Sequence, residues 1–338
     1  MKALFIGGTG VISESITHLA AERGWALTLL NRGRRNTAAP AGVECLTANI
    51  HDEAAVRAAL GTRRFDVVAD FIAYAPAHVE RDVRLFADRT DQYIFISSAS
   101  AYQKPPAHYR ITESTPLVNP HWQYSRDKIA CEEVLLAAHR ASGFPVTVVR
   151  PSHTYDYKTL PLGLHGAGGA WGVVSRIHRG RPVLIQGDGT SLWTVTHSSD
   201  FAKAFVRLMG HPAAVGEAVQ ITSDEVLTWN RIYDTIGRLL GVPVRPYHVA
   251  SDFIIACDPS FDGPLLGDKA HSVVFDNSKM KRLAPDFVAT TRFDEGARQS
   301  VAYFLAHPEC HAPDAPFDDF CDRVIHALDA AAAAVRGA

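Results

Sequence analysis

The chain has 338 residues, 47% of them apolar, enough for one large domain with a lobe or for two domains. A formal net charge of -2, with both signs interspersed, excludes a global field drawing it to nucleic acid or anionic membrane. Cys45, Cys131, Cys257, Cys310 and Cys321 form no C-x-x-C pair, which argues against a disulfide frame or thiolate zinc site. No apolar run approaches membrane-spanning length, and the first residues pass straight into a strand pattern. The expected location is cytoplasmic.

The apolar run 3–6 ends in Gly7-Gly8-Thr9-Gly10, and Ile12, Ile16, Leu19 and Ala20 then recur at helical spacing. A strand feeding a helix through glycines points backbone amides and the positive helix end at one spot, which suits a pyrophosphate. The spacing Gly7-x-x-Gly10-x-x-Ser13 is a variant of the dinucleotide fingerprint, though alone it also fits a plain βα turn. Further strand patterns cover 26–30, 43–47, 67–72, 93–97 and 146–150, and helical ones cover 13–23, 52–60, 76–87 and 124–142. This alternation predicts an α/β fold, a Rossmann-like doubly wound parallel sheet with ligands beyond the strands' carboxyl ends.

After Pro151 the pattern loosens. Residues 155–172, rich in Gly, Leu, Pro and His, read as a long loop or mobile lid. Helices are expected at 171–180, 200–210, 229–240 and 295–306, strands at 182–186, 218–222 and 244–248, and fraying from Ala330. The division expected is a dinucleotide-binding domain at 1–151 and a smaller C-terminal substrate lobe at 152–330, with about 190–222 returning to the first domain.

Three places carry candidate chemistry. After the second strand, an acidic residue would hold the adenosine ribose and select NAD. Asn31 stands there, with Arg32 and Arg35 placed to pair with a 2′-phosphate, so NADP is expected, with NAD as the alternative. A solvated basic loop is the plainer reading of the arginines. Asn49 and Ile50 follow the third strand, where an amide and an apolar face suit adenine, or an ordinary loop. Ser97-Ser98 ends a buried strand, and Tyr124-x-x-x-Lys128 sets a phenol and an ammonium on one helix face. The cation is expected to lower the phenol pKa from about 10 and make it an acid/base near neutrality.

These residues resemble the extended short-chain dehydrogenase/reductases, the NAD-dependent epimerase/dehydratase family of nucleotide-sugar epimerases, dehydratases and reductases. Further matches are Tyr102, Thr112-Glu113-Ser114-Thr115-Pro116-Leu117, Arg150-Pro151, Gly187-Asp188-Gly189-Thr190, His197-x-x-Asp200 and Asp276-x-Ser278-Lys279. The resemblance implies Tyr124 as acid/base, Lys128 as ribose-binding residue and Ser98 as partner of the substrate hydroxyl. It implies dinucleotide contacts at Gly7, Gly10, Val11, Ile12, Asn31, Arg32, Arg35, Asn49, Ile50, Ile72, Tyr124, Lys128 and Ser152. Tyr74, Ser100, His153 and Trp193 are the candidates facing a sugar or sugar-nucleotide-like substrate, and the resemblance admits a homodimer.

Three departures matter. Ser13 replaces the third glycine, as in a branch that includes chloroplast stem-loop RNA-binding proteins. Ala99 and Ser100 stand where sugar 4,6-dehydratases carry Asp-Glu, which argues against dehydration. Trp193 stands where sugar epimerases commonly place an arginine on the substrate diphosphate. An epimerase or reductase is therefore expected. The alternative is an RNA-binding or cofactor-sensing regulator on the same fold, against which stand the complete Ser98/Tyr124/Lys128 set and the lack of a basic stripe. His307, Cys310 and His311 are close, but Pro308 breaks the helix that would align them on a metal.

Overall fold

Strand β1 (Lys2–Ile6) buries side chains on both faces, as a central parallel strand must. Ala3 and Phe5 join one core with Ile16, Phe201 and Phe205, while Leu4 and Ile6 join the opposite one with Val56, Leu60, Val79 and Leu135. Each fully buried Leu or Phe contributes roughly 1.5–3 kcal/mol relative to exposure. The computed structural model describes residues 1–33 and 39–337. In it, β1 pairs in parallel with β2 (Ala26–Asn31) and β4 (Phe65–Asp70). The sheet is completed by β3 (Glu44–Thr47), β5 (Thr90–Ile96), β6 (Val146–Pro151) and β7 (Ala218–Ile221), in the order β3-β2-β1-β4-β5-β6-β7. Strand order reverses between β1 and β4, the place where such sheets open a ligand crevice.

Helices α1 (Val11–Glu22), α2 (Glu53–Leu60), α3 (Pro76–Phe86) and α4 (Gln123–Ser142) follow their strands. Beyond them come α5 (Ala170–His178), α6 (Ser198–Leu208) and α7 (Trp229–Leu240); α6 packs on α1 and β7 extends the main sheet. The expected strand 67–72 stops at Asp70, because its carboxylate accepts the Ile72 N–H at 2.6 Å and turns the chain. That turn delivers Ile72 and Tyr74 to the crevice. Several of the sequence motifs are structural in this chain. His197 caps α6 by accepting the Ser199 N–H, and Asp188 accepts the Thr190 N–H at 2.9 Å in a turn.

A third core is built around Trp193, Trp229, Tyr233, Phe293 and Phe304, and also takes in Tyr102 and Ile111. Residues 155–172, expected as a long loop or mobile lid, are anchored in part to that core. Leu160, Leu162 and Leu164 are buried in that core. The glycines serve close packing: a Cβ on Gly166 would lie 2.5 Å from Phe317 Cβ. The tail also differs, since a helix runs unbroken from Ala315 to Arg336. Amides at 160–164 should therefore exchange slowly without ligand, and Leu162→Ala should lower stability by roughly 2–5 kcal/mol. Exchange there within seconds in the free protein would restore the lid.

Candidate active site

The glycine turn after β1 makes the first part of the site. Gly7 and Gly8 have φ of 101° and 94°, a region that disfavours any side chain. A Cβ on Gly8 would also lie 2.8 Å from Leu29 Cδ2. Gly10 caps α1, and its N–H donates to Ser13 Oγ at 2.9 Å, so the residue replacing the third glycine closes the turn itself. Val11 and Ile12 begin the helix, where amides have no intrahelical acceptor and face an incoming anion.

A cleft of about 760 Å³ extends from this turn, lined by Gly7, Gly10, Val11, Ile12, Asn31, Arg32, Asn49, Ile50, Ile72 and Tyr74. Arg35 lies outside the described residues. Asn31 Oδ1 accepts the Gly33 N–H at 2.7 Å, and its buried Nδ2 has no partner among the described residues. A buried donor left open calls for an acceptor such as a ribose hydroxyl or phosphate oxygen. Glycine cradle, helix end and open amide together fit a dinucleotide. His51 and His78, their rings 4.8 Å apart, also line this cleft. The sequence carried no motif for them; only the position of His51 beside Ile50 pointed there. Burial, aided by Arg81, pushes the His78 imidazole pKa down.

A second cavity of about 380 Å³ brings together Ser98, Ser100, Tyr124, Ser152, His153 and Trp193. Ser152, expected at the dinucleotide, lines this cavity, and its Oγ lies 2.9 Å from Thr196 Oγ1. Tyr74, expected at the substrate, lines the dinucleotide cleft instead. Its ring stands over Lys128, with the ammonium 4.7 Å from the centroid. Ser98 opens the turn that follows β5 and accepts the Ser100 N–H at 3.2 Å. The Ser98 and Ser100 hydroxyls lie 2.9 Å apart, and buried Ser125 donates to Ser100 Oγ at 2.8 Å. This chain of hydroxyls leaves Ser98 able to donate into the cavity.

Lys128 lines neither cavity. Its Nζ donates to the carbonyls of Ala73 at 2.6 Å and Ile96 at 2.7 Å, with one N–H of the three to spare. The ammonium lies 5.8 Å from the Tyr124 ring centroid. Its expected effect on the phenol does not prevail. Burial pushes the Tyr124 phenol up to about 12, and the Ser98 hydroxyl offsets only part of that. Burial likewise pushes Lys128 down to about 8. Desolvation disfavours both charged forms and is the largest cause of each shift. The phenol therefore rests protonated at neutral pH.

The cavity also holds residues that the sequence did not single out. Trp122 stands 5.0 Å from the Tyr124 ring, and Asp268 and Lys269 enter from a segment nearly 150 positions later (Lys269 against Trp122). No spacing motif links them. His153 is held neutral, its pKa pushed well down by burial and by Lys269. Outside the cavity, the ring nitrogens of His307 and His311 engage the carbonyls of Tyr303 and Phe304. Among the described residues no three His, Cys, Asp or Glu side chains gather as a metal site.

A glycine-cradled cleft at the switch point of a seven-stranded parallel sheet defines a Rossmann-like dinucleotide-binding protein. Residues 83–222 match the NAD dependent epimerase/dehydratase family. Over that stretch, and in its overall fold, the chain is similar to the extended short-chain dehydrogenase/reductases. It is 24% identical over 288 residues to the 2′-dehydrokanamycin reductase of Streptomyces kanamyceticus, covering 85% of this chain and 80% of that protein. It is 25% identical over 255 residues to a chloroplast stem-loop binding protein of Arabidopsis thaliana, covering 72% and 64%. An epimerase from Methanothermobacter thermautotrophicus superposes with a TM-score of 0.74 at 16% identity, covering 91% of this chain and 93% of that one. The UDP-glucose 4-epimerase of Thermotoga maritima, solved with UDP-glucose, gives 0.70 at 20% identity, covering 90% and 99%. At these identities the structures establish the shared fold.

Proposed function

We propose that this protein is an NAD(P)-dependent epimerase or reductase that works by hydride transfer at a secondary alcohol or ketone of a sugar-like substrate. One observation carries the reading: Ser98 and Tyr124 share a cavity, with Lys128 buried behind the phenol beside the glycine-lined cleft. A bound nicotinamide supplies the hydride or accepts it. Ser98 and Tyr124 hold the substrate oxygen, and Tyr124 moves the proton. Because the phenol rests protonated, the site is set to donate a proton to a developing alkoxide, the step carbonyl reduction needs. Lys128 keeps a positive charge behind the phenol, 5.8 Å from its ring centroid. Ala99 and Ser100 offer no carboxyl pair to expel a hydroxyl, so dehydration is left out of the proposal.

The test begins with the mass of any dinucleotide that copurifies. The loaded protein is then mixed with a panel of sugar ketones and alcohols while nicotinamide absorbance is followed. Deuterium on the cofactor separates the two activities: a reductase releases labelled product with oxidised cofactor, and an epimerase ends with its cofactor unchanged. Absence of dinucleotide binding would sink the proposal. The second reading, RNA binding, draws on the stem-loop binding relative. The net charge of -2 counts against it. Tight, salt-sensitive retention of a stem-loop RNA would favour it.

Cofactor choice belongs to the same proposal. Asn31 with its open amide, and Arg32 at the cleft edge, support NADP over NAD. A charge-assisted contact to the 2′-phosphate should contribute roughly 1.5–3 kcal/mol, at least about tenfold in affinity. Calorimetric titration with both dinucleotides checks it; equal affinity, or tighter NAD, removes the preference. We place the protein in the cytoplasm on its scattered free cysteines. No described helix is long and apolar enough to cross a membrane.

A further inference from the structure

We infer that the cavity beyond Ser98 and Tyr124 takes a compact, uncharged, polyhydroxylated ring, a sugar or cyclitol unit without a nucleoside diphosphate. The inference rests on the hydride-transfer reading of that site and names its substrate class. Two indoles line the cavity, Trp122 beside Tyr124, and Trp193. Flat apolar faces suit the C–H faces of a six-membered ring. Trp193 is 2% exposed and its Nε1 has no hydrogen-bond partner among the described residues. An indole N–H only donates, so it calls for an oxygen acceptor.

Asp268 and Lys269 supply the matching polar edge. Their charged ends lie 3.5 Å apart and both residues line the cavity. An acceptor beside a donor matches two neighbouring hydroxyls, each able to give and take a hydrogen bond. The backbone holds the pair in place. Leu265–Lys269 forms a single π-helical turn, a distortion that often marks a functional site. Trp229 Nε1 donates to the Lys269 carbonyl at 3.1 Å. Gly263 lets the segment lie against Trp122, since a Cβ there would come within 2.3 Å of the indole Cδ1. The indole wall and the polar edge are thereby built as one unit.

The same residues make a poor diphosphate site. Two adjoining phosphates drawn out of water need fixed cations, and guanidinium is the usual partner. No arginine lines the cavity among the described residues. Lys269 is already balanced by Asp268, whose carboxylate would repel a phosphate. Lys104 is not among the lining residues; its ammonium gives one N–H to the Asp268 carbonyl at 3.1 Å and sits 5.4 Å from the Trp193 ring centroid. The cavity, about 380 Å³, has half the volume of the dinucleotide cleft, about 760 Å³.

The test uses the full chain saturated with NADP, followed by tryptophan fluorescence and calorimetry. The probes are methyl glucoside, methyl galactoside and myo-inositol on one side, and UDP and UDP-glucose on the other. At least one ring probe should bind saturably, with UDP and UDP-glucose weaker by about tenfold or more. Asp268→Asn and Lys269→Met should each weaken the ring probe by about tenfold or more, the scale of a hydrogen bond to a charged group. NADP affinity, read on each variant, reports that it is folded. Tighter binding of UDP or UDP-glucose, no binding of any ring probe, or ring binding unaffected by both substitutions overturns the inference. If UDP-glucose binds tightly and is oxidised, the inference falls and the hydride-transfer reading stands. A chain that binds ring probes but no nicotinamide dinucleotide keeps the inference and removes that reading.

Discussion

Tyr124→Phe should lower turnover by about 10²–10⁴-fold, the usual contribution of a general acid, and leave dinucleotide affinity nearly unchanged. The ring keeps its place between Tyr74 and Trp122, whose centroids lie 6.5 Å and 5.0 Å away, so only the hydroxyl is lost. The cleft that takes the dinucleotide is lined by the glycine turn and β2, not by this phenol. The same measurement run against pH identifies the second titrating group. The phenol, at about 12, stays protonated through the working range, while Lys128 is charged only below about 8. If the ammonium supports the oxygen, the wild-type reduction rate should fall as pH rises through about 8. Wild-type turnover in Tyr124→Phe would end the acid/base assignment and move the RNA-binding reading ahead.

The regular part of the fold was legible because its residues obey the periods of strands and helices. The run 3–6, the glycines after it and the Ile12/Ile16/Ala20 stripe each point to one local structure, and that structure forms. Helix α4 was legible in extent but not in meaning. Its buried face carries Ser125, Lys128 and Glu132 beside Cys131 and Leu135, so apolar spacing understates how deeply it is set. Residues 155–172 misled for a related reason: glycines that permit close contact look like glycines that permit motion. The phenol pKa could not be read from the spacing of Tyr124 and Lys128. Spacing shows proximity, and the outcome depends on burial. Asp268 and Lys269 reach the site through tertiary packing alone, over a distance in sequence that no local rule spans.

That setting of α4 underlies the other large effect expected. Glu132 and Arg150 form an ion pair whose side chains are 1% and 4% exposed, with contacts of 2.5 Å and 3.0 Å. Ser97 donates to the same carboxylate, and the guanidinium carbon lies 4.9 Å from the Tyr102 ring centroid. Removing one charge leaves the other stranded in a dry interior, so Glu132→Gln should destabilise the protein by roughly 3–5 kcal/mol. Adding Arg150→Met removes the stranded charge. The double variant should therefore lose less than the sum of the two single losses, by about 0.5–3 kcal/mol. Denaturant midpoints for the four proteins check this, and additive losses, or a Glu132→Gln loss within about 0.5 kcal/mol of zero, would show that the pair is not a support. The placement ties stability to chemistry. Glu132 is on the helix that carries Tyr124, Arg150 is on β6, and Ser97 immediately precedes Ser98. One carboxylate thus fixes the distance between the proton donor and the hydroxyl that shares its substrate oxygen. Glu132→Gln should accordingly slow turnover at temperatures where the protein is still folded, with dinucleotide affinity retained.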